Sequence, residues 1–336
     1  MATIVGLVST IIPVFNRPEM LLQSVHSVLN QDHRPIEVII VDDGSTDETA
    51  GTADALQSCY PDLIKVLHIE NRGAGLAREA GRRIAQGEFI QYLDSDDLLL
   101  QGKFSIQIEA LRRHPECGIA YGWTRLIDAN GNIIKVPYKW TGQGLDTLFP
   151  SLLIDRWWNT HTPLYRRSVC DEVGPWTDMR MSEDWEYEAR VGALGVRLVF
   201  CPQACSDTRR HSGDRLTSQA DPLAHPQDMT RLIKALNVSG AKAGVNPTSR
   251  EMAHFSRWAF LEARRAGASG FPNESRECYE IALSASAGRL KGQFLLYRTA
   301  VGLFGWKGAG RLGLFSERLR NASRRGQGLP LSWTDS

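Results

Sequence analysis

Two apolar runs in this chain end in clusters of acids: Ile39-Ile40-Val41-Asp42-Asp43-Gly44-Ser45 and Phe89-Ile90-Gln91-Tyr92-Leu93-Asp94-Ser95-Asp96-Asp97. Carboxylates packed this closely repel one another unless a cation or hydrogen-bond donors sit among them. A divalent metal and a ribose are the partners that suit such a group. The runs themselves read as buried strands of a parallel sheet, and ligands of open α/β sheets bind beyond the carboxyl ends of such strands. Both clusters are therefore expected to face one crevice.

The elements needed to hold the acids there follow in order. Residues 7–14 form a first apolar run, and Leu21, Val25, Val28 and Leu29 follow at helical spacing. Strands are expected at 36–41, 64–69 and 88–93. Between the last two, Ala77, Ala80, Gly81, Ile84 and Ala85 fall on one face of a helix. Arg78 lies off that stripe near the helix start, so its guanidinium either reaches the crevice or stays solvated. Ser45-x-x-Glu48 has the form of a capping box and is expected to open a helix where the first acidic cluster ends. Asp42 and Asp47 read either as site residues or as caps of that helix. The βαβαβαβ order predicts a doubly wound sheet with right-handed crossovers. A looser stretch follows, with a helix at 104–113, a strand-turn-strand around Asp128-Ala129-Asn130-Gly131-Asn132 and a strand at 196–200. Beyond Pro222 the pattern is mostly helical, which divides the chain into a domain at 1–220 and an extension at 221–336.

Composition narrows the class. With 336 residues, 42% of them hydrophobic and 23% charged, the chain has the make-up of a soluble globular protein. The net charge of +1 hides an asymmetry, because residues 285–336 hold nine Lys/Arg against Glu317 and Asp335. An anionic partner is therefore expected at the tail. Apolar Phe294, Leu295, Leu296, Val301, Leu303, Phe304 and Trp306 accompany those charges. The tail thus reads either as a helix lying on an anionic membrane surface or as a helix packed on the domain at 1–220 with its arginines solvated. Five glycines between 302 and 313 weaken it as an isolated helix. No nucleic-acid partner is expected. The six cysteines are scattered without a C-x-x-C pair, and an apolar stretch precedes the first basic residue, Arg17, the wrong order for a secretory signal. Reduced thiols in a cytoplasmic protein are the expectation, with Cys201 and Cys205 in the core.

The only Gly-rich turn after an early strand, Gly73-Ala74-Gly75-Leu76-Ala77-Arg78, carries Arg78 where a dinucleotide fingerprint needs its third glycine. There is no Walker A lysine loop either. Over about the first 220 residues the chain instead resembles the inverting family 2 nucleotide-sugar glycosyltransferases. The blocks that carry the resemblance are Ser9-Thr10-Ile11-Ile12-Pro13-Val14-Phe15-Asn16-Arg17, Val41-Asp42-Asp43-Gly44-Ser45-Thr46-Asp47, Asn71-Arg72-Gly73-Ala74-Gly75 with Ala77-Arg78, Gly87-Glu88-Phe89-Ile90 leading to Asp94-Ser95-Asp96-Asp97, and Ser182-Glu183-Asp184-Trp185.

The resemblance implies an α/β fold of GT-A type, a doubly wound mixed sheet flanked by helices with a helical C-terminal extension. It implies a hexosyltransferase-type enzyme that moves a sugar from a nucleotide-sugar donor to a glycan or lipid-linked acceptor, in polysaccharide or surface-glycan synthesis. By the same resemblance Pro13, Val14, Phe15, Asn16 and Asp43 hold the nucleotide, while Arg78, Asp94 and Ser95 contact the rest of it. Asp96 binds Mn²⁺ or Mg²⁺ across the diphosphate, and Asp97 orients its neighbours. Asp184 acts as the base, with Ser182 expected to cap its helix; otherwise Glu183 and Asp184 complement the helix dipole. His211, in Arg209-Arg210-His211-Ser212-Gly213, either joins the metal site or is structural. Trp157 and Trp158, in the half that shapes the acceptor site, form either a sugar platform or a core pair beside a strand at 162–165. Two other classes stay open: a catalytically silent nucleotide-sugar-binding module, and a sugar-phosphate nucleotidyltransferase. The second calls for a Gly-rich loop after the first strand, where Pro13-Val14-Phe15-Asn16 stands.

Overall fold

The computed structural model describes residues 3–210 and 225–326. The chain divides into two compact units, Met1–Asp214 and Arg215–Ser336.

In the first unit, β1 (Ile4–Val14), β2 (Ile36–Asp42), β3 (Ile64–His68) and β4 (Gly87–Tyr92) alternate with α1 (Pro18–Leu29), α2 (Thr49–Cys59) and α3 (Ala74–Ile84). These four strands pair in parallel in the order β3-β2-β1-β4. Side chains of β1, β2 and β4 are buried because helices cover the sheet: Val8, Ile11, Ile12, Val38, Ile39, Ile40, Val41, Phe89 and Ile90 are fully enclosed. Each such apolar side chain contributes about 1.5–3 kcal/mol relative to exposure. α3 lies against β1 at Gly81, where an added Cβ would come within 2.5 Å of Ile11 Cγ2. Register aligns the strand ends, since Val14 stands beside Asp42, Asp42 beside His68 and Ile11 beside Tyr92. The two acidic clusters thus leave the sheet at the same edge.

The sheet then becomes mixed. β5 (Leu98–Leu99), α4 (Lys103–Arg113), β6 (Cys117–Ile127), β7 (Ile133–Lys135), β8 (Leu164–Arg166), α5 (Arg167–Val173), α6 (Glu183–Ala193) and β9 (Arg197–Arg209) complete the unit. The order continues β4-β8-β6-β9-β5, with β7 on β6. β8 is antiparallel to both β4 and β6, whereas β6 and β9 run parallel.

Several local expectations change. α2 begins at Thr49 without a side-chain cap, not in a Ser45–Glu48 box. The loop's own carboxylates take the amides first: Asp42 Oδ1 accepts the Ser45 N–H at 3.0 Å and Asp47 Oδ1 that of Thr49 at 2.9 Å. Ser182 precedes α6 in a left-handed conformation (φ 60°) and makes no capping bond. The strand expected at 196–200 runs on to Arg209 as β9, because β6 offers it a parallel partner along its length. The strand expected at 162–165 starts later, as β8.

The second unit is helical: α7 (Pro226–Lys242), α8 (Arg250–Ala268), α9 (Pro272–Ala285) and α10 (Lys291–Gly326). Ser249 caps α8 by accepting the Met252 N–H. The core is aromatic, with Phe260, Tyr279, Phe294 and Tyr297 in mutual contact. The glycines of α10 serve packing. A Cβ at Gly310 would stand 2.4 Å from Ala268 N, so only glycine lets α10 cross α8 backbone against backbone, and Gly305 (φ 66°) kinks the helix. Of the tail's apolar residues, Phe294 is buried, whereas Leu295, Leu296, Leu303, Phe304, Leu312 and Phe315 are 51–72% exposed.

Candidate active site

The crevice is lined first by the loops that follow β1 and β2. Pro13 and Val14 are buried in β1, so Phe15, exposed, and Asn16 are the parts of that segment that stand open. Asn16 sits at φ 52°, and its Oδ1 accepts the Thr46 N–H at 2.8 Å, which ties the two loops together. Asp43 is buried; its Oδ1 and Oδ2 accept the Arg72 and Gly73 amides, each at 2.8 Å. Burial holds its carboxyl above the ordinary value despite those donors. Each oxygen keeps a free lone pair for a further donor.

The second cluster meets α3 and α6. Arg78 is only 3% exposed and is not solvated: it donates to Asp94 Oδ1 and to Glu183 Oε1, both at 2.7 Å, with its guanidinium 4.8 Å from the centroid of Trp176. Gly75 permits this meeting, since a Cβ there would lie 2.4 Å from Thr177 O and 3.2 Å from Glu183 Cγ. Burial and the adjacent Asp184 push the Glu183 carboxyl above its ordinary value, and Arg78 opposes them. Ser95 is buried, and its carbonyl accepts the Ser24 hydroxyl.

Asp96 pairs with Arg17 at 2.8 Å. Asp97 accepts the Arg209 N–H at 2.9 Å and faces His161 Nδ1 at 2.8 Å. Burial pushes the Asp97 carboxyl up, against the pull of His161.

Asp94, Asp97 and His161 each offer a ligand atom, all within 4.8 Å of one another. His161 is fully buried, and its Nδ1, although 2.8 Å from Asp97, makes no hydrogen bond. Two ligands of one octahedral cation with bonds of about 2.1 Å stand about 3.0 Å apart; the 2.8 Å between His161 and Asp97 is close to that, and the unsatisfied nitrogen fits a hard divalent cation. A polar cradle fixes His161: Gln91 Nε2 donates to its carbonyl, and Lys103 Nζ and Gln107 Nε2 donate to that of Thr162. Asp96 stands outside this trio, and His211 lies outside the described residues.

Asp184 faces Arg156, which also donates twice to Glu188 Oε1, at 3.0 and 2.7 Å. The other oxygen of Asp184 accepts the Trp185 N–H at 2.7 Å. Trp158 is core, fully buried, with Nε1 donating to Glu188. Trp157 parts from it and stacks on Trp140. The arrangement joins a carboxylate-imidazole group suited to a cation and a diphosphate with a carboxylate that can take a proton. Sequence reasoning did not single out His161, Arg156 or Glu188; each lies far from its partners along the chain, and no spacing marks it.

The profile of the family described as "Glycosyl transferase family 2" matches residues 9–174. Glycosyltransferase GlyG of Streptococcus pneumoniae serotype 4 is 39% identical over 231 residues, 64% of this chain and 74% of that protein. Chondroitin synthase of Escherichia coli is 34% identical over 136 residues, 40% of this chain and 20% of that protein. Four of the curated relatives are much longer, and the chain spans 15–20% of their length. The crystal structure of S. aureus TarS 1-349 in complex with UDP-GlcNAc superposes with a TM-score of 0.63 at 17% identity, covering 96% of this chain and 92% of that one, a likeness of fold. The mixed sheet with its strand-end acids and the extent of the match to the pneumococcal protein together place the chain among the glycosyltransferases of family 2, on a GT-A fold.

Proposed function

We propose that this chain transfers a sugar from a nucleotide-sugar donor to an acceptor hydroxyl with inversion, in polysaccharide or surface-glycan synthesis. The observation that carries this reading is Arg78, which joins Asp94 of the donor side to Glu183 beside Asp184. The S. aureus neighbour holds UDP-GlcNAc, and chondroitin synthase is a relative; both favour a donor and a product of this kind. Catalysis belongs to 1–220, and 221–336 forms a helical extension.

In this reading Phe15, Asn16 and Asp43 hold the base, with Pro13 and Val14 contributing backbone, and Asp94, Ser95 and Arg78 border the ribose and diphosphate. Asp94, Asp97 and His161 hold Mn²⁺ or Mg²⁺, joined by Asp96 and His211. Such a cation, when bound, neutralises charge on the departing diphosphate. Asp184, oriented by Arg156, accepts the proton of the acceptor hydroxyl as its oxygen bonds to the anomeric carbon. The bond from that carbon to the phosphate oxygen breaks, and the electron pair leaves with the nucleoside diphosphate.

No helix among the described residues is long and apolar enough to cross a membrane. A cytoplasmic protein touching the inner face of the membrane through 285–336 completes the reading. The test is a panel of nucleotide sugars assayed for diphosphate release with and without Mn²⁺. Asp184→Asn is expected to lower turnover by about 10²-fold or more while nucleotide binding persists. An unchanged rate would refute the assignment of the base.

A further inference from the structure

The sequence left Trp157 and Trp158 as a pair, either platform or core. The structure separates them and supplies another partner. Trp158 is enclosed, whereas Trp157 is half-buried and lies at 5.9 Å and 28° from Trp140, which is 37% exposed. The backbones that carry the two indoles are joined by the Trp140 main-chain N–H donating to the Trp157 carbonyl at 3.3 Å, and Trp140 Nε1 approaches Asp155 Oδ2 at 3.4 Å. The Nε1 atom of Trp157 is buried and has no hydrogen-bond partner. A buried donor left unsatisfied costs about 1–3 kcal/mol.

The chain neighbours of this pair reach Asp184. Arg156, between Asp155 and Trp157, is the residue that grips Asp184. Lys139, next to Trp140, is held at φ 54°, and its ammonium is within electrostatic reach of Arg156, Asp155, Asp184 and Glu188. Residues from two separate loops thus reach the carboxylate assigned as the base.

We propose that Trp140 and Trp157 form the acceptor subsite and that the acceptor presents a saccharide ring there. A pyranose has one face of C–H groups that lies on an indole and a rim of hydroxyls that needs donors and acceptors. The exposed Asp155 carboxylate and the Lys139 ammonium supply that rim. A purely lipid hydroxyl or a peptide side chain would use the rings and leave the polar groups unmatched.

This assignment deepens the transferase reading, resting on it for the word acceptor. Saturation-transfer NMR needs neither donor nor turnover, so the two stand or fall separately. The probes are cellobiose, lactose, maltose and N,N′-diacetylchitobiose at millimolar concentration, with n-octanol as the apolar comparison. At least one disaccharide is expected to receive saturation strongest at its ring C–H protons. Trp140→Ala and Trp157→Ala should each weaken that binding about tenfold, and Trp140→Phe, which keeps an aromatic face on an exposed position, should restore most of it. Absence of transfer to every disaccharide, binding of octanol alone, or affinity indifferent to both alanine variants would overturn the proposal.

Discussion

Arg78→Met tests whether the buried arginine holds the two halves of the site together. The methionine keeps most of the side-chain volume over Trp176 and removes the charge that Asp94 and Glu183 share at 2.7 Å. Breaking a buried ion pair by removing one partner costs about 3–5 kcal/mol. The Asp94 side chain is 29% exposed and water can take over part of its solvation, while that of Glu183 is 12% exposed, so about 3 kcal/mol is the working figure. For a unit of this size each kcal/mol moves the melting point by about 2–4 °C, giving a fall of about 6–12 °C.

The deficit should depend on pH with a definite sign. Burial and Asp184 already hold the Glu183 carboxyl above its ordinary value against the pull of Arg78, and the variant raises it further. A carboxyl raised on folding favours the folded state when protonated; that contribution is fully present below its unfolded value and is lost as pH rises through the folded one. The deficit should therefore be largest at pH 8 and shrink toward pH 5. Glu183→Gln in the Arg78→Met background should recover much of it at pH 8. Differential scanning calorimetry of the full chain at four pH values measures both. A deficit that is flat with pH or grows on acidification, together with a double variant no better than the single one, would refute the reasoning.

Two further outcomes follow from the same geometry. His161→Ala should weaken Mn²⁺ binding in the presence of UDP by at least about tenfold in a calorimetric titration; an unchanged affinity would exclude His161 as a ligand. On α10, Leu296→Glu, Leu303→Glu and Phe304→Glu together place charge on a face that is exposed in the second unit. The full chain should sediment with vesicles containing anionic lipid at low salt and the triple variant should remain in solution; no sedimentation of the unaltered chain would refute the membrane contact.

The parallel half of the sheet was legible because its signal is local. Apolar runs such as Ile36–Asp42 and Gly87–Tyr92 are buried on both faces, and their acids could only emerge at the carboxyl ends. Arg78 was legible as far as its reach, since its place on α3 follows from helical period. The missing residues depend on long-range meetings. His161 belongs to an irregular stretch and comes to Asp97 only because β8 is inserted between β4 and β6. Arg156 finds Asp184 and Glu188 across α6. The capping expectations failed for a different reason, competition at short range: Asp42 takes the Ser45 N–H that Glu48 would have accepted, and the Ser45 hydroxyl oxygen accepts the Asn16 N–H instead of capping a helix amide.

The electrostatic premise drawn from the sequence also changes. Crowded carboxylates were expected to need a cation or hydrogen-bond donors bound among them, and the fold brings its own positive groups or amides to most of them. Asp42 meets His68, Asp94 meets Arg78, Asp96 meets Arg17, Asp184 meets Arg156, and Asp43 is held by two amides. Crowding is therefore no argument for a metal in this crevice. The argument rests instead on His161, whose buried nitrogen stands at ligand spacing from Asp97 without hydrogen-bonding to it. An arginine in that position would already satisfy the carboxylate with fixed donors; an imidazole leaves a lone pair free for a cation. A cation bound there must also compete with Arg78 for Asp94, and a diphosphate arriving with it offers that arginine replacement acceptors. Cation and nucleotide should accordingly strengthen one another's binding by the same factor.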